Sequence, residues 1–174
     1  MTKLLALAIA FAGVILSSGC GYHVAGQGDL MPKNIKTIAV PAFANITVRY
    51  QLARLLPADI TREFLSRTHY VIVADPDQAD AVLAGTVTNF AFYPTVSDPV
   101  TGRATAAQVV VTLRLTLTDR ATKKVLFSRM GAEFRERYEI SVDPSAYFDE
   151  SGTAMQRLSR DVARSVVSAI LEGF

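Results

Sequence analysis

Between Gln108 and Thr118 apolar and polar residues trade sides. Val109, Val111, Leu113, Leu115 and Leu117 fall on one face, while Thr112, Arg114, Thr116 and Thr118 fall on the other. A period of two is the mark of a strand with one dry and one wet side. Val125 to Ile140 repeats it: Leu126, Met130, Phe134, Tyr138 and Ile140 share one parity, and Arg129, Glu133, Arg135, Arg137 and Glu139 share the other. Ala81 to Thr95 is a third strand whose mixed pattern does not sort into faces. The polar stretches DPVTGR (98–103) and DRATKK (119–124) join the three as hairpins.

A different period marks two helices. From Gln51 to Arg67, Leu52, Leu56, Ile60 and Phe64 recur every fourth residue, with Leu55 and Leu65 widening the stripe. Pro57 lies inside and is expected to kink the helix or restart it, because it lacks a backbone N–H. Near the C-terminus, Met155, Leu158, Val162, Val166 and Ile170, backed by Ala163, Val167 and Leu171, make a second apolar stripe. Arg157, Arg160, Asp161, Arg164 and Ser168 form its wet side. An interior glycine costs about 1 kcal/mol, so Gly152 places the start near Ser151 rather than at Pro144. Gly173 suits the stop. Ile35 to Phe43 is a near-continuous apolar run suited to a buried strand, and Tyr70 to Val73 is a short one.

The order strand, helix, short strand, three strands, helix predicts an α+β fold. Two helices cover one face of a mixed, mainly antiparallel sheet of four to five strands, giving a two-layer sandwich. The uncovered face is then the Thr/Arg/Glu face of the last two long strands. It meets water or a polar partner.

The N-terminus is of another kind. Lys3 precedes an apolar run from Leu4 to Leu16, followed by Ser17, Ser18, Gly19 and the chain's only cysteine, Cys20. The run is too short to span a bilayer, which takes about 20 residues. It reads as an export signal over residues 1–19. The segment resembles the lipobox of bacterial lipoproteins, in which this cysteine is acylated (palmitate among its chains) and becomes the first mature residue. A stray thiol, an intermolecular disulfide or a buried structural cysteine are the other readings of Cys20. Gly21 to Asn34, with three glycines and Pro32, reads as a tether (20–34) ahead of one domain over 35–174. Lipoproteins kept at the inner membrane typically have Asp after the cysteine, so Gly21 implies the outer membrane, facing the periplasm.

The formal net charge is +2, and Lys3 is the only charged residue of the leader. No basic run, zinc spacing or aromatic-laced basic patch points to nucleic acid. His23 and His69 lie in unlike places, and no nucleophile elbow, H-E-x-x-H or phosphate-cradling loop occurs. Glu133 with Glu136 or Glu139 is the one carboxylate pairing worth weighing for catalysis, against a solvated strand face. The aspartates of residues 75–80 (DPDQAD) lack the further ligands of a calcium loop and read as a turn. The chain reads as a binding or assembly protein without catalytic residues, metal or cofactor.

Several segments in order resemble the LptE family of lipopolysaccharide-assembly lipoproteins. They are Gly19-Cys20-Gly21-Tyr22-His23, Ile35 to Phe43, Thr61-Arg-Glu-Phe-Leu65, Ala81 to Thr86, Gly102-Arg-Ala-Thr105 with the alternating strand after it, and residues 124–127. The resemblance implies a plug for the lumen of a large outer-membrane β-barrel, LptD, that helps the barrel fold and deliver lipopolysaccharide to the outer leaflet. It also implies basic loop residues against lipopolysaccharide phosphates. Arg103 is the candidate, with Lys123 and Lys124 as lesser ones, against the reading of ordinary solvated side chains. Between Tyr138 and Arg157 no basic residue occurs, so a contact ahead of the last helix has no candidate. The partner-facing surface expected is Thr112, Arg114, Thr116, Arg135 and Arg137. The competing reading is another periplasm-facing lipoprotein subunit of an envelope secretion or assembly complex.

Overall fold

The computed structural model describes residues 31–140 and 144–172, with side chains described outside 144–150. The element order is β1 (Thr37–Ala39), β2 (Ala44–Asn45), α1 (Tyr50–Arg67), β3 (Val71–Val73), a 3₁₀ turn (Pro76–Gln78), β4 (Ala81–Ser97), β5 (Ala104–Asp119), β6 (Val125–Glu139) and α2 (Pro144–Glu172). One mixed sheet runs β3-β1-β4-β5-β6, with β2 added beside β4. The β1–β3, β1–β4 and β2–β4 pairs are parallel; β4–β5 and β5–β6 are antiparallel. The expected α+β sandwich is therefore present with one more strand than expected. The apolar run at 35–43 divides: Pro41 cannot donate to a ladder, so β1 stops at Ala39 and the chain pairs again only at Ala44.

The core lies between the sheet and both helices. Val109, Val111, Leu113, Leu115 and Leu117 are buried from β5, facing Leu52, Leu56, Ile60 and Phe64 of α1 and Leu158, Val162, Val166 and Ile170 of α2. Met31 already belongs to this core, ahead of residue 35. Gly85 is needed for close approach: an added Cβ would fall 2.4 Å from the Phe43 ring, which packs directly on β4. Two bonds tie helices and sheet at their rims. Arg67 donates to Ser168 at 2.7 Å, joining α1 to α2, and Arg157 of α2 donates to Glu136 of β6 at 2.7 Å.

Four local expectations are corrected. Helix α1 runs unbroken through Pro57, which is itself buried; the tetrad Leu52–Phe64 holds the helix together across the lost bond. Leu65 is 59% exposed, one position around from Phe64 and off the stripe. Helix α2 begins at Pro144, with Gly152 inside it. Proline fits a first helical position, where its missing N–H costs nothing, and one glycine's cost of about 1 kcal/mol does not end a 29-residue helix. The fourth concerns β6. Leu113 pairs with Ala132 but Arg114 pairs with Met130, so Gly131, at φ +85°, is an extra residue. This bulge inverts the alternation below it. Phe127 and Arg129 take the core-side parity, whereas Met130 turns out beside Arg114 and is 68% exposed. β4 bulges likewise between Val87 and Asn89. Thr88 caps that break by donating its hydroxyl to the Thr112 carbonyl at 3.0 Å, and its irregularity is why the segment's pattern does not sort by eye.

Candidate functional site: the open sheet face and its two ends

The face of β4–β5–β6 away from the helices is the surface left for a partner. Thr112, Arg114 and Thr116 of β5 lie on it, half-buried or exposed. Arg135 pairs with Val110 and Arg137 with Gln108, so both share that parity. All five residues expected to face a partner therefore lie on one surface. Arg135 donates through Nε to Glu133 at 2.7 Å, a pair along the same strand face. The surface mixes hydroxyls, amides and both signs of charge.

The carboxylate pairing does not form. Glu133 and Glu139 lie on the open face, while Glu136 has the opposite parity and reaches Arg157 of the helix layer. The turn aspartates act locally. Asp75 accepts from the Asp77 N–H at 3.0 Å. Asp80 accepts from the Lys36 and Thr37 N–H groups, both at 2.9 Å, which hold its carboxyl below the usual range. Asp80 stands directly before β4, but its clamp on β1 reaches 44 residues back along the chain, where no local pattern marks it. Among the described residues no cluster of metal-ligating side chains occurs.

The basic candidates are at opposite ends. Arg103 sits in the β4–β5 loop, where Asp98 accepts from the Val100 and Thr101 N–H groups at 2.7 and 2.8 Å, bonds that lower its pKa. Val100, 90% exposed, stands in the same loop, with Tyr93 and Val96 exposed on the strand leading to it. Lys123 and Lys124 lie in the β5–β6 turn, held by Asp119, which accepts from the Thr122 N–H at 2.9 Å. The intervening β5 spans 16 residues, about 50 Å at 3.3 Å per residue. One phosphate cannot touch both ends. Cys20, the signal segment and most of the tether lie outside the described residues.

Fold and surface together define a class: a small α+β domain that, among the described residues, leaves one polar sheet face uncovered. The search of curated protein sequences returned no match. A family model does match. The LptE model, described as lipopolysaccharide-assembly, covers residues 35–170, and the chain belongs to that family. It is accordingly a lipopolysaccharide-assembly lipoprotein of a non-enzymatic family that binds no cofactor. Solved structures share the fold at low identity. Lipoprotein B of Nitrosomonas europaea gives a TM-score of 0.54 at 10% identity over 82% of this chain and 90% of that one. The CT253 protein of Chlamydia trachomatis gives 0.51 at 14%, over 79% and 99%. PelC of Paraburkholderia phytofirmans, a dodecamer, gives 0.51 at 18%, over 79% and 87%.

Proposed function

We propose that this lipoprotein is anchored through acylated Cys20 to the periplasmic side of the outer membrane, with residues 1–19 removed as its signal. There it occupies the lumen of an LptD-like β-barrel, assists the barrel's folding and contacts lipopolysaccharide in passage. The observation that carries this reading is the open sheet face. A wide barrel has a polar interior that its own side chains do not fill. A rigid domain presenting hydroxyls, amides and mixed charges is the complement such a lumen requires. Depletion in a Gram-negative host should leave the barrel misassembled and lipopolysaccharide mislocalised; a normal barrel after depletion rejects the proposal.

Arg103 is the lipopolysaccharide contact within this reading. A guanidinium beside exposed Val100, Val96 and Tyr93 offers an anionic amphiphile both a phosphate partner and apolar surface. Arg103→Glu should weaken lipopolysaccharide binding, most at low salt, with barrel association unchanged. Equal binding by variant and parent removes Arg103 from the site. Lys123 and Lys124, at the far end of β5, would meet a different phosphate from the one Arg103 holds.

A further inference from the structure

A cavity lies on the helix side of the sheet, toward the Arg103 end. Phe90 pairs with Val111 and Phe92 with Val109, so both rings share the parity of buried β5 residues. Between them, the start of α1 and the first half of α2 is an opening of about 120 Å³. Its floor is Leu52, Val109, Tyr138 and Met155, all buried members of the core. Phe92 stands against Tyr138 with ring centroids 6.4 Å apart, and Arg49 lies over the Phe90 ring at 5.4 Å. Arg49 and Gln51, both exposed, form the rim. Protein interiors leave few voids larger than a water molecule, and this one is far larger. An apolar cavity of about 150 Å³ takes a benzene ring, so there is room here for the end of one hydrocarbon chain.

The lining calls for apolar matter rather than for an anion. The Arg49 guanidinium is stacked on Phe90. Asp149 and Glu150 directly precede Ser151, the lining residue from α2, so a phosphate is not the group this opening suits. Val48 and Tyr50, 83% and 71% exposed, flank Arg49 in the chain and extend its apolar surroundings.

We infer that the cavity receives the end of one acyl chain of lipopolysaccharide. The inference rests on the lumen and Arg103 readings above and adds a second subsite to them. The Arg103 loop begins at Asp98, six residues past Phe92, at most about 20 Å along the strand. One amphiphile then leaves its phosphate at Arg103 and a chain end in the cavity. In a polar lumen that chain would otherwise stand in water, and burial is favoured in proportion to the apolar area removed. The cavity is on the helix side, away from the Thr/Arg face kept for the barrel, so chain and barrel do not compete for one surface.

The test keeps the lipoprotein in its barrel, in intact outer membranes. A photoreactive amino acid replaces Gln51 at the rim or Thr101 in the hairpin loop, and adduct peptides are read by tandem mass spectrometry. Lipopolysaccharide adducts are expected at both positions, joined through a fatty-acyl carbon at Gln51 and through sugar or phosphate at Thr101. Ser151→Trp, which sets an indole across the opening, should cut the Gln51 adduct roughly tenfold, the equivalent of about two methylenes returned to water. The Thr101 adduct should not change. Where Ser151→Trp fails to assemble, the attachment chemistry in the parent background decides the question. A Thr101 adduct with none at Gln51 overturns the chain site and leaves the Arg103 contact standing. Phospholipid or a barrel peptide in place of lipopolysaccharide at Gln51 overturns the assigned occupant. An undiminished acyl adduct in Ser151→Trp puts the chain outside the cavity and contradicts the inference. No lipopolysaccharide adduct at either position overturns both readings.

Discussion

The two faces of β5 are made by the same eleven-residue alternation and have opposite fates. Leu113, Leu115 and Leu117 are fully buried against two helices, while Thr112, Arg114 and Thr116 face away from any helix. Burial of one face supplies the driving force for folding. The other face contributes little to stability and is free to be shaped for a partner. Stability and recognition are thus separated on one strand by the period of two. Substitutions on neighbouring residues should behave as though they belonged to different proteins.

The largest effect expected is on the dry face. Leu115→Ala should cost about 2–5 kcal/mol in denaturant unfolding, because the space left is hemmed in by both helices. Thr116→Ala next door should change stability by less than about 0.5 kcal/mol. Equal costs would dissolve the distinction between faces. Gly85→Ala follows, since its Cβ would overlap the buried Phe43 ring. A loss of about 1–3 kcal/mol is expected, recovered in part by adding Phe43→Leu. No recovery in the double variant would show that the strain lies elsewhere.

The β6 bulge is a sharper probe. Gly131→Ala should cost about 1–2 kcal/mol, the usual penalty for a Cβ in left-handed backbone. Its structure should keep Met130 on the open face. A variant of unchanged stability would mean the bulge does not need this conformation. Ser159 is buried in α2 with an unpartnered hydroxyl, so Ser159→Ala should be neutral or stabilising by about 1 kcal/mol. A destabilised Ser159→Ala would reveal a partner.

How much of this was legible depended on local regularity. The β5 alternation and the Leu52–Phe64 and Met155–Ile170 stripes identify core residues from spacing alone, because an uninterrupted period fixes every side. Past a bulge the same reasoning fails: Gly131 and Thr88 each add one residue, and a single insertion moves Met130 and Arg129 to unexpected sides. The five residues expected to face a partner share one sheet face because Arg135 and Arg137 lie beyond the bulge, in register with β5. Separation along a strand is also invisible in composition. Arg103 and Lys123 look alike in sequence and stand at opposite ends of the molecule. Asp80's clamp on β1 depends on a contact 44 residues away in sequence, which no local pattern encodes.

The smallest effect concerns pH. Asp80, Asp98 and Asp119 are held below their ordinary values, chiefly by backbone N–H donors. A depressed folded-state pKa stabilises above the unfolded value of about 3.9 and is lost as pH falls through the folded values. Stability should therefore be level from pH 7 to 5 and decline below about 4, with Asp80→Asn flattening the decline. A steeper acid slope in that variant would contradict the clamp.

Site-specific photo-crosslinking in intact outer membranes tests the central claim most directly. Probes at Thr116 and Arg135, on the open face, should each yield adducts with an outer-membrane barrel. If neither position gives a barrel adduct in a strain that assembles lipopolysaccharide normally, the open face is not the barrel's partner surface.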